Sequence, residues 1–399
     1  SRPPLLVARA VDADAALNNG WVTAADESLL LGVGVAAHLD GDGVLALADF
    51  HPSGVPGFQL QVRIVDGVVA AADPRVGLMH RGAEKLYEAR DYRQIMMLAN
   101  RHDWLSAFSS ELAIALAVEA ATGITPPERA TWIRTLIAEA NRVAVTLAFL
   151  GSVAPAAAVR AELHAARERI IDLQEAVTGG RVHPMFTRIG GVAAPLDEVR
   201  LAHCTDVVAG LAEVAALCTE AADALAGPLA GLAVVSRDDA QALGVSGPVA
   251  RASGLDLDLR RDDPYAAYAE LGPLLAIPTA TAGDAAARYA VLAAQVPVGA
   301  RLMAACIERL RDLGPGPVDV LLPKVVRVPE GMTHSWMEGP LGVTGCLLAS
   351  VGEKTPWRLK IRSASFNNMQ ALAPALVGTP VERIADAVMS FLLVMGDVD

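Results

Sequence analysis

The chain has 399 residues, 53% of them hydrophobic and 4% aromatic, with a formal net charge of −12 and a mean hydropathy of +0.37. An acidic chain with no basic face excludes nucleic acid as a partner, and hydrophobicity carried by Ala, Val and Leu predicts closely packed helices. Cys204, Cys218, Cys306 and Cys346 form no CxxC pair, so they read as buried apolar side chains and the chain is expected to hold no metal of its own.

Residues 1–75 read as strands and turns. VLALADF (44–50) and FQLQVRIV (58–65) are short apolar or alternating runs, bounded by Gly41-Asp42-Gly43 and by the turn chemistry of 52–57. Residues 83–313 then read as helices. Thr125-Pro126-Pro127-Glu128 resembles a capping box, with Thr125 as the cap and Pro126 in the first helical position. Ile133, Leu136, Ile137, Ala140, Val143 and Leu147 follow at helical spacing. Further helices are predicted over about 159–177, stopping at Gly179-Gly180, over about 196–225, and over about 284–313 with Asp284 as cap.

The longest apolar run, 143–159, contains Pro155 and falls short of the roughly 20 residues a spanning helix needs. No secretory leader is read at Ser1, and a soluble or membrane-peripheral chain is expected. After Pro317, GCLLASV (345–351) and WRLKIRS (357–363) read as paired strands, and 380–394 as a closing helix. The predicted fold class is α+β, mainly α. A central antiparallel helical bundle (76–316) lies between a β-rich N-terminal segment (1–75) and a mixed α/β C-terminal segment (317–399).

A series of short segments adds a more specific signal. In order they are His51-Pro52-Ser53, DPRVGLMHRGAEKLYEARDYRQ (73–94), RHDWLSAFSSELAIALAVE (101–119), RIIDLQEAVTGGRVHPMFTRIGGV (169–192), ARASGLDLDLRRDDPYAAY (250–268), WRLKIRSASFNNMQ (357–370) and MGDVD (395–399). This series resembles the D-type subunit of respiratory complex I, the quinone-site subunit beside the terminal iron–sulfur cluster. The resemblance covers roughly residues 50–399.

The resemblance implies a fold shared with the large subunit of nickel–iron hydrogenases. There two CxxC pairs hold the metal, and they correspond to the neighbourhoods of 103–106 and 394–397. Here Asp103, Ser106, Val394 and Asp397 supply no thiolate, which excludes a hydrogenase-type metal centre. The space is instead expected to be an acceptor pocket, with His51, Ser53, Val55, Asp103 and Trp104 as candidates. The family motif HPSTHG keeps its first His as His51, but its second is replaced by Val55 or Pro56. The family's headgroup Tyr is replaced by Trp104, and no Asp follows Phe149-Leu150-Gly151, where the loop is shorter. Quinone reduction needs proton donors at both carbonyls, so poor reduction of ordinary ubiquinone or menaquinone is expected.

On the cluster side the resemblance implies that Arg81, in His80-Arg81-Gly82, lies close to the cluster together with His183 and Arg188. A fixed cation favours the reduced cluster, and a His can gain a proton as the cluster gains an electron. By the residues alone, His51 could cap a turn, Trp104 reads as core packing, Arg260-Arg261-Asp262-Asp263 as a solvated charge cluster, and Glu84–Lys85 and Glu88–Arg90 as helix surface pairs.

The implied function is that of a subunit of an NADH–quinone oxidoreductase. NADH would be oxidised elsewhere, and this chain would bind neither flavin nor nicotinamide. It would form one wall of the acceptor pocket, with quinone as substrate, next to an iron–sulfur cluster on a small neighbouring subunit. A chain like the C-type subunit of complex I and a membrane subunit are the other expected partners, and the cytoplasmic side of the cell membrane the expected location. Two rival readings are a related membrane-bound oxidoreductase with another acceptor, and a non-catalytic paralogue that docks on the cluster subunit.

Overall fold

The computed structural model describes residues 6–8, 27–34, 43–55 and 57–398; the Gly41-Asp42 turn, Pro56 and Asp399 lie outside them. The fold is mixed α/β and about half helical. Strands β1 (Leu6–Ala8), β2 (Glu27–Val33), β3 (Gly43–Leu45), β4 (Phe58–Val65) and β5 (Val68–Arg75) form one sheet in the order β1-β3-β2-β4-β5. Alternation in β4 buries Phe58, Leu60, Val62 and Ile64, which is the period of a half-buried strand. The β4–β5 hairpin turns through Asp66 (φ 52°) and Gly67 (φ 76°), the positive-φ pair that a twisted two-residue turn needs.

The 44–50 run is strand only as far as Leu45. Its last pair is with Val33, and Gly34 at φ 106° carries β2 away. The released segment becomes a loop of the candidate site.

Helices α1 (Ala83–Glu88), α2 (Tyr92–Ala99) and α3 (Ala107–Thr122) lead into the bundle of α4 (Glu128–Val153), α5 (Ala157–Thr178), α6 (Glu198–Ala209), α7 (Leu211–Leu229) and α8 (Ala285–Leu313). A two-stranded hairpin of β6 (Thr187–Arg188) and β7 (Gly191–Val192) falls between α5 and α6. Nearly every residue of α4 is buried, as expected of a helix apolar on all sides at the centre of a bundle.

The helix starts correct one expectation. Pro127, not Thr125, precedes the first residue of α4, and no side chain caps it. Each residue before a proline is driven towards extended backbone, so Thr125 and Pro126 stay outside the helix. α5 ends at Gly179 in the left-handed region, and the Asp284 carboxylate accepts from the Ala287 N–H at the start of α8. The helix predicted over 196–225 is two, divided at Gly210.

Three helical stretches, Glu128–Val153, Glu198–Leu229 and Ala285–Leu313, are long and apolar enough to cross a membrane by length and composition. The first is 94% buried inside the fold, so packing accounts for its apolarity.

Strands β8 (Gly331–Gly339), β9 (Gly342–Ser350) and β10 (Arg358–Arg362) form an antiparallel sheet in the order β10-β9-β8. The predicted closing helix is broken. Only Ile384–Met389 is α-helical after a 3-10 turn, and Leu392 takes φ 56°. Arg288 imposes the break: its guanidinium donates to Ser390 Oγ at 2.7 Å and stacks 4.3 Å from the Phe391 ring. Residues 391–398 then run buried through the molecule, with Met395–Val398 as a final turn.

The 260–263 cluster is corrected in part. Arg261 and Asp262 form a surface pair at 2.7 Å, but Arg260 is buried. It pairs with Asp258 at 2.7 Å and with Glu139 of α4 at 3.2 Å. Arg251 continues the network to Glu338 at 2.8 Å and Asp258 at 3.2 Å. Asp258 caps the short turn Leu259–Asp262 and so points its neighbour inward. At the surface of α1, Glu84 pairs across the fold with Arg358 and Lys360, while Lys85 pairs with Glu88.

Candidate functional site

The site is assembled where the loop after β3, the segment 100–106, the α4–α5 corner and the buried tail meet. His51 caps the 3-10 turn Pro52–Gly54 by accepting the Ser53 N–H on Nδ1 at 3.2 Å. Ser53 Oγ donates to the Leu393 carbonyl at 2.7 Å, which ties this loop to the tail. Gly57 sits against Met395, where an added Cβ would come within 2.7 Å. Burial pushes the His51 imidazole down to about 3, so the ring is neutral. Its Nε2 is buried and meets no polar partner among the described residues, while its face meets the Phe149 ring edge-on at 5.3 Å.

The Asp103 carboxylate turns back on its own segment, accepting from the Leu105 and Ser106 N–H groups at 3.2 and 2.9 Å. Asp397 accepts the Ser365 N–H at 2.8 Å, and His102 Nε2 lies 4.0 Å from its other oxygen. Burial, and then the charge of Asp103, raise the Asp397 carboxyl well above the usual range. The charge of Asp103 thus acts on Asp397, which disfavours charging both.

His51, Val55 and Trp104 open on one cavity of ≈ 1030 Å³, bordered also by Ala148, His164 and Arg167. Ser53 and Asp103 do not border it; both are held by backbone contacts behind its wall. Trp104 joins the cavity to the cation beyond. Arg81 lies 5.6 Å from its ring and donates to the carbonyls of Arg101 (2.7 Å), His102 (3.2 Å) and Gly396 (2.9 Å). A Cβ at Gly396 would fall 2.3 Å from the Trp104 ring, so the tail fixes the indole from behind.

His183 also reaches this segment. Burial, followed by the nearby Arg101 charge, lowers its pKa. Glu111 braces the same region by accepting from the N–H groups of Phe186 and Thr187 at 3.0 and 2.9 Å and from the Asn100 side chain. Arg188 donates to Met185 and Thr187 carbonyls and borders a different cavity of ≈ 410 Å³ with Met97 and Asp319.

Residues 156–326 and 320–399 match the family described as "Respiratory-chain NADH dehydrogenase, 49 Kd subunit". The NADH-quinone oxidoreductase D 1 subunit of Streptomyces coelicolor is 47% identical over 376 residues, which cover 92% of this chain and 98% of that protein. The NADH-quinone oxidoreductase D 2 subunit of Salinispora tropica is 46% identical over 392 residues, 95% and 99% of the two chains. The NADH-quinone oxidoreductase D-type subunit of Geobacillus thermodenitrificans is 32% identical over 366 residues, 89% and 98%. The chain belongs to the 49 kDa subunit family of the respiratory-chain NADH dehydrogenase.

In this 49 kDa-family chain, sequence reasoning passed over two groups at or near the site. His164 and Arg167 lie on α5 among alanines, and nothing in their spacing marks them; they border the cavity only because α5 folds back beside Gly151. The buried Glu139–Arg260 pair joins residues 121 positions apart, a separation that no local pattern reports. The four cysteines are buried, and burial pushes the thiols of Cys204, Cys218 and Cys346 up to about 12, which leaves them unreactive.

Proposed function

We propose that this chain forms one wall of the acceptor pocket of a membrane-associated NADH–quinone oxidoreductase. It stands at the cytoplasmic side of the membrane, beside an iron–sulfur cluster carried by a small neighbouring subunit. A chain like the C-type subunit of complex I and a membrane subunit complete its surroundings. The observation that carries the reading is Trp104, whose ring borders the ≈ 1030 Å³ cavity and also stacks on Arg81. One indole thus separates the space for an acceptor from a cation suited to a reduced cluster, a short path for an electron. Arg81 is held by three backbone carbonyls, so its charge is fixed, and a fixed positive charge favours the reduced state of a cluster beside it. His183, which lies near Arg101 of the 100–106 segment, is the group proposed to exchange a proton as that cluster changes charge.

The cavity is large enough for a quinone headgroup, since ligand sites commonly run to about 300–1,000 Å³. Its buried histidine offers an Nε2–H with no acceptor among the described residues, the donor a quinone carbonyl needs.

The test is Val55→Trp in the assembled complex. Val55 is partly exposed at the cavity wall, so the larger side chain fills the pocket without entering the core. Quinone reduction should fall about tenfold or more, while NADH still reduces the terminal cluster, as read by electron paramagnetic resonance. Unchanged quinone reduction would rule the reading out. Val55 itself, which offers no donor, favours a second reading, an acceptor other than ubiquinone or menaquinone. In that case the native complex reduces neither quinone, and Val55→Trp abolishes activity with the true acceptor.

A further inference from the structure

The cavity contains a second histidine that the proposed function does not use. His164, on α5, is half-buried and borders the same space as His51, Val55 and Trp104. Its ring lies against Gly151 at the end of α4, where an added Cβ would come 3.3 Å from Cε1 and 3.4 Å from each ring nitrogen. The Phe50 ring meets it edge-on with centroids 6.3 Å apart. The imidazole is thus held between the loop that carries His51 and the corner that ends α4.

The two histidines differ in chemistry. His51 is buried, neutral, and committed through Nδ1 to the Ser53 N–H, so it can donate a hydrogen bond from Nε2 but cannot gain a proton. His164 is in contact with solvent at the cavity margin. Burial, and then the charges of Arg167 and Arg160 on its own helix, lower its pKa, while Glu168 of that helix opposes them; from the other elements it meets Gly151 and Phe50, and Asp49 borders the same cavity. A neutral imidazole carries a proton on one ring nitrogen and a lone pair on the other until a second proton arrives. Such a ring can take a proton from water and pass it on. Val55, on the same wall, has no such capacity.

We infer that His164 is the proton-carrying partner of the quinone headgroup in this chain, with His51 as the fixed hydrogen-bond donor on the same cavity. The inference rests on the proposed acceptor role. Two electrons from the reduced iron–sulfur cluster of the neighbouring subunit and two protons convert the two quinone carbonyls to hydroxyls. As negative charge develops on the quinone, the His164 ring takes up a proton from solvent and transfers a proton to one carbonyl oxygen. The second oxygen receives its proton from water entering at the cavity mouth, and the neutral imidazole is restored.

The experiment uses the assembled complex with decylubiquinone as acceptor and compares His164→Phe, His164→Gln, His164→Ala and Val55→Trp; a native complex that does not reduce decylubiquinone overturns the inference. NADH–ferricyanide activity and the cluster signal report assembly. His164→Phe should lower kcat about 10²-fold, the usual contribution of a positioned proton donor, with little change in KM. His164→Gln, which keeps polarity and size but cannot carry a proton, should show the same loss. Added imidazole should recover part of the rate in His164→Ala. If the His164 variants keep the native kcat while Val55→Trp is inactive, the acceptor reading stands and the role of His164 is overturned. If Val55→Trp is fully active as well, both fail. If His164→Phe does not assemble, His164→Gln decides alone: a native kcat there overturns the inference.

Discussion

At the scale of single residues, the chemistry follows from what each side chain is forced to touch. The sequence leaves His51 as either a turn cap or a ligand, and the structure makes it a cap through Nδ1, with Nε2 buried and without a polar partner among the described residues. Its burial has a measurable consequence. The folded ring titrates at about 3, whereas an unfolded His titrates near ~6.5. As pH falls from ~6.5 towards 3, the unfolded chain therefore binds a proton that the folded chain refuses, and stability is lost over that window. His51→Asn keeps an acceptor for the Ser53 N–H and removes the titration. Thermal unfolding at pH 7 and pH 5 should show a smaller drop for His51→Asn than for the native chain, and equal drops would contradict the burial argument. Trp104 belongs both to the core and to the pocket wall, because Gly396 admits its ring on one side and the cavity opens on the other. The resemblance groups Arg188 with Arg81 and His183; its guanidinium donates to the Met185 and Thr187 carbonyls and it borders the cavity shared with Met97 and Asp319.

At the scale of elements, local pattern decides most of the fold and fails where another element interferes. β4, α5, α8 and the β9–β10 pair are legible, since alternation, helical spacing, Gly179 and Asp284 are all local signals. The broken closing helix is not, since the interruption comes from Arg288 on α8, a hundred residues away in sequence. Gly210 is a milder case. Its backbone is right-handed (φ −73°, ψ −12°), and the nearest atom to an added Cβ is the Val207 carbonyl at 3.6 Å, an ordinary contact. Gly210→Ala should therefore join α6 and α7 more firmly and stabilise the chain by about 0.5–1 kcal/mol. Denaturant unfolding would show this as a higher midpoint, and a lower one would mean that the break at Gly210 is required.

At the scale of the whole molecule, the bundle is fastened to the C-terminal sheet by buried charge. Glu139, Asp258, Glu338, Arg251 and Arg260 lie in one network with almost no exposure, and the Tyr268 hydroxyl donates to Glu139 at 2.6 Å. The opposing charges of Arg260 and Arg142 help hold Glu139 below the usual carboxylate range against its burial. Removing one member leaves a buried charge without its partner, which typically costs about 3–5 kcal/mol. Arg260→Met should be destabilising on that scale, whereas Arg261→Met, at the surface next door, should cost under about 1 kcal/mol. Denaturant unfolding of the two variants checks the contrast, and equal effects would show that the network does not fasten the sheet.

The sequence by itself determined the family through its ordered motifs and the helical and strand periods, and it carries the expectation of replaced quinone partners at Val55 or Pro56 and at Trp104. Those are properties of neighbours in the chain or of residue identity. Only the tertiary structure decided that Arg260 is buried rather than solvated, that the tail runs behind Trp104, and that His164 meets Gly151 beside the cavity. Burial and pairing depend on which distant segments close around a side chain, and a Cβ-less Gly151 or Gly396 admits a ring there only once the packing of α4, α5 and the tail has set the gap.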